Sequence, residues 1–292
     1  MISCVALIPA RYGSTRLPAK ALLDETGKTL VQHVYERVSA ANRVTAVIVA
    51  TDDKRIFDAV EGFGGRVVMT SPAHQSGSDR VAEVAADLEA DLILNVQGDE
   101  PEIDPVLLDR LVAFLEENSD FPICTAAVPI TDGSFYHDPN TVKVVTVGRA
   151  ENVGRAEIVG GAEIVGGAEV VGGASHGPLR AIYFSRSPIP HGAKHTSCAD
   201  SRSSGASDEN VRSLKHIGVY AFRREALLAF ASWPPTPLEK TERLEQIRAL
   251  ERGMKIGVVL SDHDSQGIDT PDDYRAFLKR YARTGRHSGE QQ

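Results

Sequence analysis

Arg11, Arg16 and Lys20 fall inside one short stretch, "IPARYGSTRLPAK" (residues 8 to 20), with Gly13, Ser14 and Thr15 between them. Cations on a glycine-containing turn directly after an apolar run suit a polyphosphate, because turn amides can point at phosphate oxygens while the side chains add charge. The spacing is neither GxxxxGK[ST] nor GxGxxG, and taken alone these cations fit a solvated surface equally well. A second stretch, "NVQGDEP" (residues 95 to 101), puts Asp99 and Glu100 just past the apolar run Leu92 to Val96. A carboxylate there can hold Mg²⁺, which is usually shared between one or two carboxylates and substrate phosphates; a polar turn is the other reading. In "GIDTPDDY", Asp269 immediately precedes a helix cap at Thr270. It either complements the helix dipole or supplies a second metal carboxylate. The histidines show no HxH or HExxH spacing, and "SDHD" at 261 to 264 reads as a polar loop.

Residues with such roles need strand-to-helix junctions to hold them. Short β-branched runs at Cys4 to Ile8, Val44 to Ala50, Arg66 to Met69 and Asp91 to Val96 alternate with helix-period segments, the pattern of βαβ units. Thr29 and Gln32 read as a capping box, and Val81, Val84, Ala85 and Leu88 as an apolar stripe. Asp104 and Pro105 open a helix whose inward face is Leu107, Leu111 and Phe114. Further on, runs at Ile123 to Val128, Val142 to Val147, Arg180 to Arg186 and Lys215 to Phe222 arrive without comparable helices between them, which predicts a mixed, partly antiparallel second half. Thr236, Pro237 and Glu239 start one later helix, and Thr270, Pro271 and Asp273 another with a buried stripe of Tyr274, Phe277, Leu278 and Tyr281.

With 292 residues, 42% hydrophobic, the chain can bury a full core, and its net charge of -8 argues against a general attraction to nucleic acid or an anionic membrane. Any anion site is therefore local. Cys4, Cys124 and Cys198 suggest neither a disulfide framework nor a zinc cluster. No signal peptide is legible, and no run reaches the ~20 apolar residues of a membrane span, so a soluble cytoplasmic protein is expected. Residues 196 to 213 read as a long polar loop and the chain from Arg283 as a frayed tail. From Ala156 to Gly173 the hexapeptide "AEIVGG" occurs three times with one Ile to Val change, after a decayed copy at 150 to 155. A β-helix needs more hexads than this, so a lengthened hairpin or surface loop is expected.

"IPARYGSTRLPAK", "HQSGSDR", "NVQGDEP", "YFSRSPIP", "KHIGVYAF", "PLEKTERLEQIR" and "GIDTPDDY", in this order and over nearly the whole chain, resemble the 3-deoxy-manno-octulosonate cytidylyltransferase (CMP-Kdo synthetase) family. The resemblance implies an α/β, GT-A-like, Rossmann-related nucleotidyltransferase fold with a mixed central sheet. It also implies coupling of CTP to Kdo with release of pyrophosphate, for lipopolysaccharide biosynthesis. On the same basis Ala10, Arg11, Ser14, Arg16, Lys20, Arg80 and Gln97 are expected to bind CTP. Arg16, Lys20 and Asp99 would carry catalysis, Asp99 and Asp269 would hold Mg²⁺, and Arg186, His216, Tyr220, Glu245 and Gln246 would form the sugar-acid pocket. The implied organisation is a single domain over residues 1–283, with a CTP-binding half (1–120), a sugar-acid and dimerisation half (121–283) containing the 150–173 repeats, and a tail (284–292). A homodimer without nucleic acid or an inserted membrane segment goes with it.

Without the resemblance, His216 reads as an edge residue, Tyr220 as strand core, and Glu245 as solvent-facing opposite Leu244, Ile247 and Leu250. The repeats have no recognised counterpart in the family, and His191 stands near a position where relatives often carry an aromatic residue. Both departures bear on the choice of sugar acid, so a cytidylyltransferase for an amino-Kdo analogue or sialic acid is an alternative. A GT-A glycosyltransferase is another, although the cationic first loop argues against it, and a nucleotide-binding regulator is a third.

Overall fold

The structure is a computed structural model that describes residues 2–14, 16–148, 177–191 and 213–287. The hexapeptide repeats, Cys198 and all of the 196–213 loop except Ser213 lie outside the described residues. In chain order the elements are β1 (Cys4–Ala10), α1 (Leu30–Ser39), β2 (Ala46–Thr51), α2 (Lys54–Gly62), β3 (Val67–Met69), α3 (Gly77–Ala86), β4 (Leu92–Asn95) and α4 (Pro105–Glu117). They continue with β5 (Ile123–Pro129), α5 (Gly133–His137), β6 (Lys143–Val147), β7 (Arg180–Ser185), β8 (Leu214–Arg223), α6 (Arg224–Ser232), α7 (Pro237–Glu242), α8 (Ile247–Glu251), β9 (Ile256–Leu260) and α9 (Pro271–His287). Among the described residues no helix is long and apolar enough to cross a membrane.

The chain forms two compact units, one of residues up to Asp109 plus the segment from Ser265, the other Arg110–Asp264. The segment from Ser265, last in the chain, thus belongs to the first unit. Leu17 and Leu30 are buried in one cluster with Ile268, Tyr274 and Phe277 of that returning segment, and the Ile268 amide donates to the Asp99 carbonyl at 2.9 Å.

In the first unit, β3, β2, β1 and β4 lie side by side and all parallel. Their side chains are buried almost without break in β1, β2 and β4, as expected of a parallel sheet covered on both faces. From β1 the chain moves outward to β2 and β3 and then returns to β4 on the other side of β1, so the direction of winding reverses between β1 and β4 and leaves a crevice beyond their carboxyl ends, where open α/β sheets bind ligands. Helix starts follow the sequence signals in part: Thr29 accepts from the Gln32 amide, while the Gln32 side chain bonds Glu36 instead of closing a capping box, and Asp104 accepts from the amide of Val106. At α9 the Asp273 carboxylate accepts from the Asp269 and Thr270 amides while the Thr270 hydroxyl accepts from the Asp273 amide. One expectation fails at this helix: Tyr281 is exposed rather than part of the buried stripe. The helix is described as far as His287.

The second unit orders its strands β8-β5-β9-β7-β6, with β6 also pairing with β8 so that the order closes on itself. β5 runs antiparallel to β8 and parallel to β9, the mixed arrangement predicted from the lost helical rhythm. The sequence reading passed over β9. Its Gly257 is a poor strand former, yet a Cβ there would lie 2.2 Å from the Phe114 ring, so the absent side chain makes room for that aromatic.

Candidate functional site

A cleft of about 290 Å³ lies beyond the carboxyl edge of the first unit's sheet, lined by the loops after β1, β3 and β4 and by Asp269. It contains Ala10, Arg11, Ser14, Arg16, Lys20, Arg80, Gln97, Asp99 and Asp269, that is, every residue assigned from the sequence to the polyphosphate, base and metal. The loop after β1 is held at several points. The Tyr12 ring stacks under the Arg55 guanidinium at 3.3 Å, and Arg55 is fixed in turn by two bonds to the Asp53 carboxylate. Leu17 is buried in the core cluster, and Ala19 takes a left-handed backbone at φ 53° immediately before Lys20. Such a conformation in a residue other than glycine persists only where its surroundings enforce it.

Lys20 joins the distant acids. Its Nζ donates to Asp99 Oδ2 at 2.6 Å and to Asp269 Oδ1 at 3.0 Å, while Arg16 donates to Asp269 Oδ2 at 2.9 Å. The two carboxylates are thus close enough to share a single cation. Two hard oxygen donors around one point, open to a cleft, suit a divalent cation that completes its shell with water and phosphate oxygens. Among the described residues no group of three or more His, Cys, Asp or Glu could hold a metal, and an ion on these two carboxylates would take its other ligands from water and substrate. Close packing also shapes the wall: a Cβ on Gly98 would come within 2.9 Å of the Pro9 carbonyl.

The opposite wall is polar and hydrogen-bonded. Arg80 is 4% exposed, donates to Asp52 at 2.8 Å and also bonds the Thr70 hydroxyl. Gln97 donates to Asn95, which is fully buried and donates to Ser78 on α3. Lining residues assigned no role from the sequence are His74, Gln75, Ser76 and Gly77, although they fall in the motif "HQSGSDR", together with Pro9, Ala21 and Gly98. A signal was present: Ser76 and Asp79 form a capping box at the start of α3, and that strand-to-helix junction belongs at the same sheet edge as the loops after β1 and β4.

The sugar-acid candidates all lie in the second unit. Tyr220, Glu245 and Gln246 line a second, small pocket of about 10 Å³, and His216 packs its ring 5.4 Å from that of Tyr220. Residues four apart on a straight strand are separated by about 13 Å; here an irregularity opposite Thr125 and Ala126 in the β5–β8 pairing kinks the strand between them. His216 is therefore buried inside β8 rather than at an edge. The Thr125 hydroxyl has one hydrogen, which the Val219 carbonyl takes at 2.7 Å. His216 accordingly donates Nε2–H to Thr125 at 2.9 Å and keeps Nδ1 as a lone-pair acceptor. Glu245 and Gln246 differ from a continuous-helix reading because Arg243, at φ 56°, breaks the helix. Both residues sit in the break between α7 and α8; Glu245 turns to the pocket, and the Gln246 side-chain amide nitrogen is buried without a hydrogen-bond partner. Arg186 follows β7, half-buried, with its guanidinium on the Pro139 carbonyl at 3.2 Å.

Burial pushes the His216 imidazole down from its ordinary 6.5 to about 3, so it is neutral at physiological pH. Between these values the unfolded chain binds a proton that the folded chain refuses. Stability is thus retained above pH 6.5 and lost as pH falls towards 3, by at most about 1.4 kcal/mol per pH unit for this residue. Urea unfolding at stepped pH is expected to show a shallower loss in His216→Asn than in the parent between pH 6.5 and 5. Equal slopes would mean that the imidazole is not shielded from protonation.

Comparison with known proteins agrees with this arrangement. A family model described as cytidylyltransferase matches residues 5–256. The chain is 44% identical over 272 residues to the 3-deoxy-manno-octulosonate cytidylyltransferase of Syntrophotalea carbinolica, covering 93% of this chain and 96% of that one. It is 41% identical over 280 residues to the 8-amino-3,8-dideoxy-manno-octulosonate cytidylyltransferase of Shewanella sediminis, covering 94% and 97%. The solved structure of a CMP:2-keto-3-deoxy-manno-octonic acid synthetase complexed with CTP matches with a TM-score of 0.75 at 35% identity, over 98% of this chain and 99% of that one. With the order of motifs, the parallel sheet and the cationic cleft at its carboxyl edge all in agreement, the chain belongs to the 3-deoxy-manno-octulosonate cytidylyltransferase family.

Proposed function

We propose that this protein activates 3-deoxy-manno-octulosonate with CTP, releasing pyrophosphate and supplying the CMP-linked sugar acid for lipopolysaccharide assembly, with Mg²⁺ at Asp99 and Asp269. The observation that carries the proposal is the convergence of Lys20, Asp99 and Asp269 in the cleft at the carboxyl edge of the parallel sheet. A hydroxyl of the sugar acid forms the new bond to the α-phosphorus, the α–β phosphoanhydride bond breaks, pyrophosphate leaves and the hydroxyl proton passes to solvent. No protein nucleophile is needed. The work is alignment and charge neutralisation, which Arg11, Arg16 and Lys20 supply to the phosphates. When bound, the metal adds positive charge at the phosphates. Buried Arg80 and the Asn95–Gln97 pair present fixed polar groups to the cytidine end.

On the same reading Arg186 pairs with the sugar-acid carboxylate, while His216 Nδ1 accepts from a sugar hydroxyl. The test is a pyrophosphate-release assay with CTP, Kdo and Mg²⁺, omitting each in turn and running the 8-amino analogue in parallel. Release only with all three present, and faster with Kdo than with the analogue, is expected. Preference for the analogue would reassign the sugar, and release of a nucleoside diphosphate instead of pyrophosphate would overturn the reaction.

A further inference from the structure

Lys143 is fully buried, and the nucleotidyl transfer proposed above gives it no task. Its Nζ donates to the carbonyls of Asp138 at 2.9 Å, Thr141 at 2.7 Å and Arg186 at 2.7 Å. These contacts use all of an ammonium's donors. Burying such a charge is costly, and an apolar residue at this buried position would avoid that cost. What the lysine gains is a knot between the turn before β6 and the residue that follows β7. On the other side of the same residue, the Glu242 carboxylate on α7 accepts from the Arg186 amide at 3.3 Å, from the Ser185 hydroxyl at 2.9 and 3.0 Å, and from the Tyr183 hydroxyl at 3.1 Å. Arg186 is thus gripped at both its carbonyl and its amide. Its guanidinium rests on the carbonyl of Pro139, a residue inside the very turn that Lys143 closes.

We propose that Lys143, seated among the carbonyls of Asp138, Thr141 and Arg186, and Glu242, on the Arg186 amide, are positioning residues that set the Arg186 guanidinium for a carboxylate-bearing substrate. The inference rests on the reading of Arg186 as partner of the sugar-acid carboxylate. An arginine recognises a carboxylate through a planar fork whose value depends on orientation, and a surface arginine with a free backbone would spend binding energy on ordering itself. Fixing the backbone and one guanidinium nitrogen in advance leaves only the approach of the carboxylate.

The test compares Arg186→Ala, Glu242→Gln and Lys143→Met, with KM measured separately for Kdo and CTP, and the double variant Arg186→Ala/Glu242→Gln. The expectation is a rise in KM for Kdo of about tenfold in Glu242→Gln and Lys143→Met, with KM for CTP and kcat changed less than about threefold. In the double variant, the loss should be no greater than in Arg186→Ala alone, because two residues acting through one contact are not additive. If Lys143→Met does not fold, Glu242→Gln carries the comparison. An Arg186→Ala variant with unchanged KM for Kdo would overturn the reading of Arg186 itself. A raised KM in Arg186→Ala beside unchanged values in the other two, or full additivity in the double variant, would overturn the positioning role alone.

Discussion

Lys20→Met is expected to lower pyrophosphate release by about 10²- to 10³-fold while leaving the melting temperature nearly unchanged, as is Asp99→Asn. The basis is geometric: one ammonium touches both acids of the cleft, at 2.6 and 3.0 Å, and in the proposed reaction it pairs with the phosphate oxygens. The stability effect is expected to be modest because the cluster is partly open to solvent, with Lys20 15%, Asp99 27% and Asp269 48% exposed, and Arg16 still pairs with Asp269 when Lys20 is removed. The two variants should separate in a titration with Mn²⁺ in the absence of nucleotide, read by proton relaxation. Removing Lys20 takes away a cation that competes for the carboxylates and should tighten Mn²⁺ binding, whereas Asp99→Asn removes a ligand and should weaken it. Near-parental turnover in either purified variant would remove the basis of the proposed reaction.

Arg248→Met should produce the largest loss of stability. Arg248 on α8 and Glu239 on α7 are 4% and 8% exposed and joined by two parallel bonds of 2.9 and 2.5 Å. The same guanidinium donates to the Trp233 carbonyl at 3.1 Å and lies over the Phe230 ring at 4.8 Å. Removing one partner of a buried pair leaves the other charge uncompensated, at a cost of about 3–5 kcal/mol. In a chain of this size that corresponds to a melting point lowered by roughly 6–20 °C. The double variant Arg248→Met/Glu239→Leu should recover much of the loss, since no orphaned charge remains. A single variant melting within a degree or two of the parent would show that the pair is not shielded from water. The consequence reaches Glu242, Glu245 and Gln246, because this ion pair holds α7, which ends at Glu242, to α8, and Glu245 and Gln246 lie in the break between them.

Much of the first unit was legible because its signals are local. Apolar runs of strand length, a Ser, Thr or Asp ahead of each helix and Pro at the first helical position depend on neighbours a few residues away. The second unit was less so. The break at Arg243 has no glycine to announce it, and β9 hides behind a glycine whose reason is the ring of Phe114, far away in sequence. Tyr281 misled for a related cause: helical period says which residues share a face, but not how far along the helix the covering core extends.

The sequence by itself determined the alternation of strands and helices, the cationic turn after β1, and acids at two other strand-to-helix junctions; the order of motifs added the family. Only the tertiary structure decided which charges share an atom. Lys20 meets Asp99 and Asp269 because a parallel sheet gathers its carboxyl ends on one edge and the buried Leu17–Ile268 cluster brings the last helix back to that edge. Arg80 is committed to Asp52 by a contact of the same non-local kind, and the kink that lets His216 reach Tyr220 is set by the pairing of β8 with β5. Such pairings are set by chain crossings and by the cost of leaving a buried polar group unmatched, and neither quantity is written in any short window of residues.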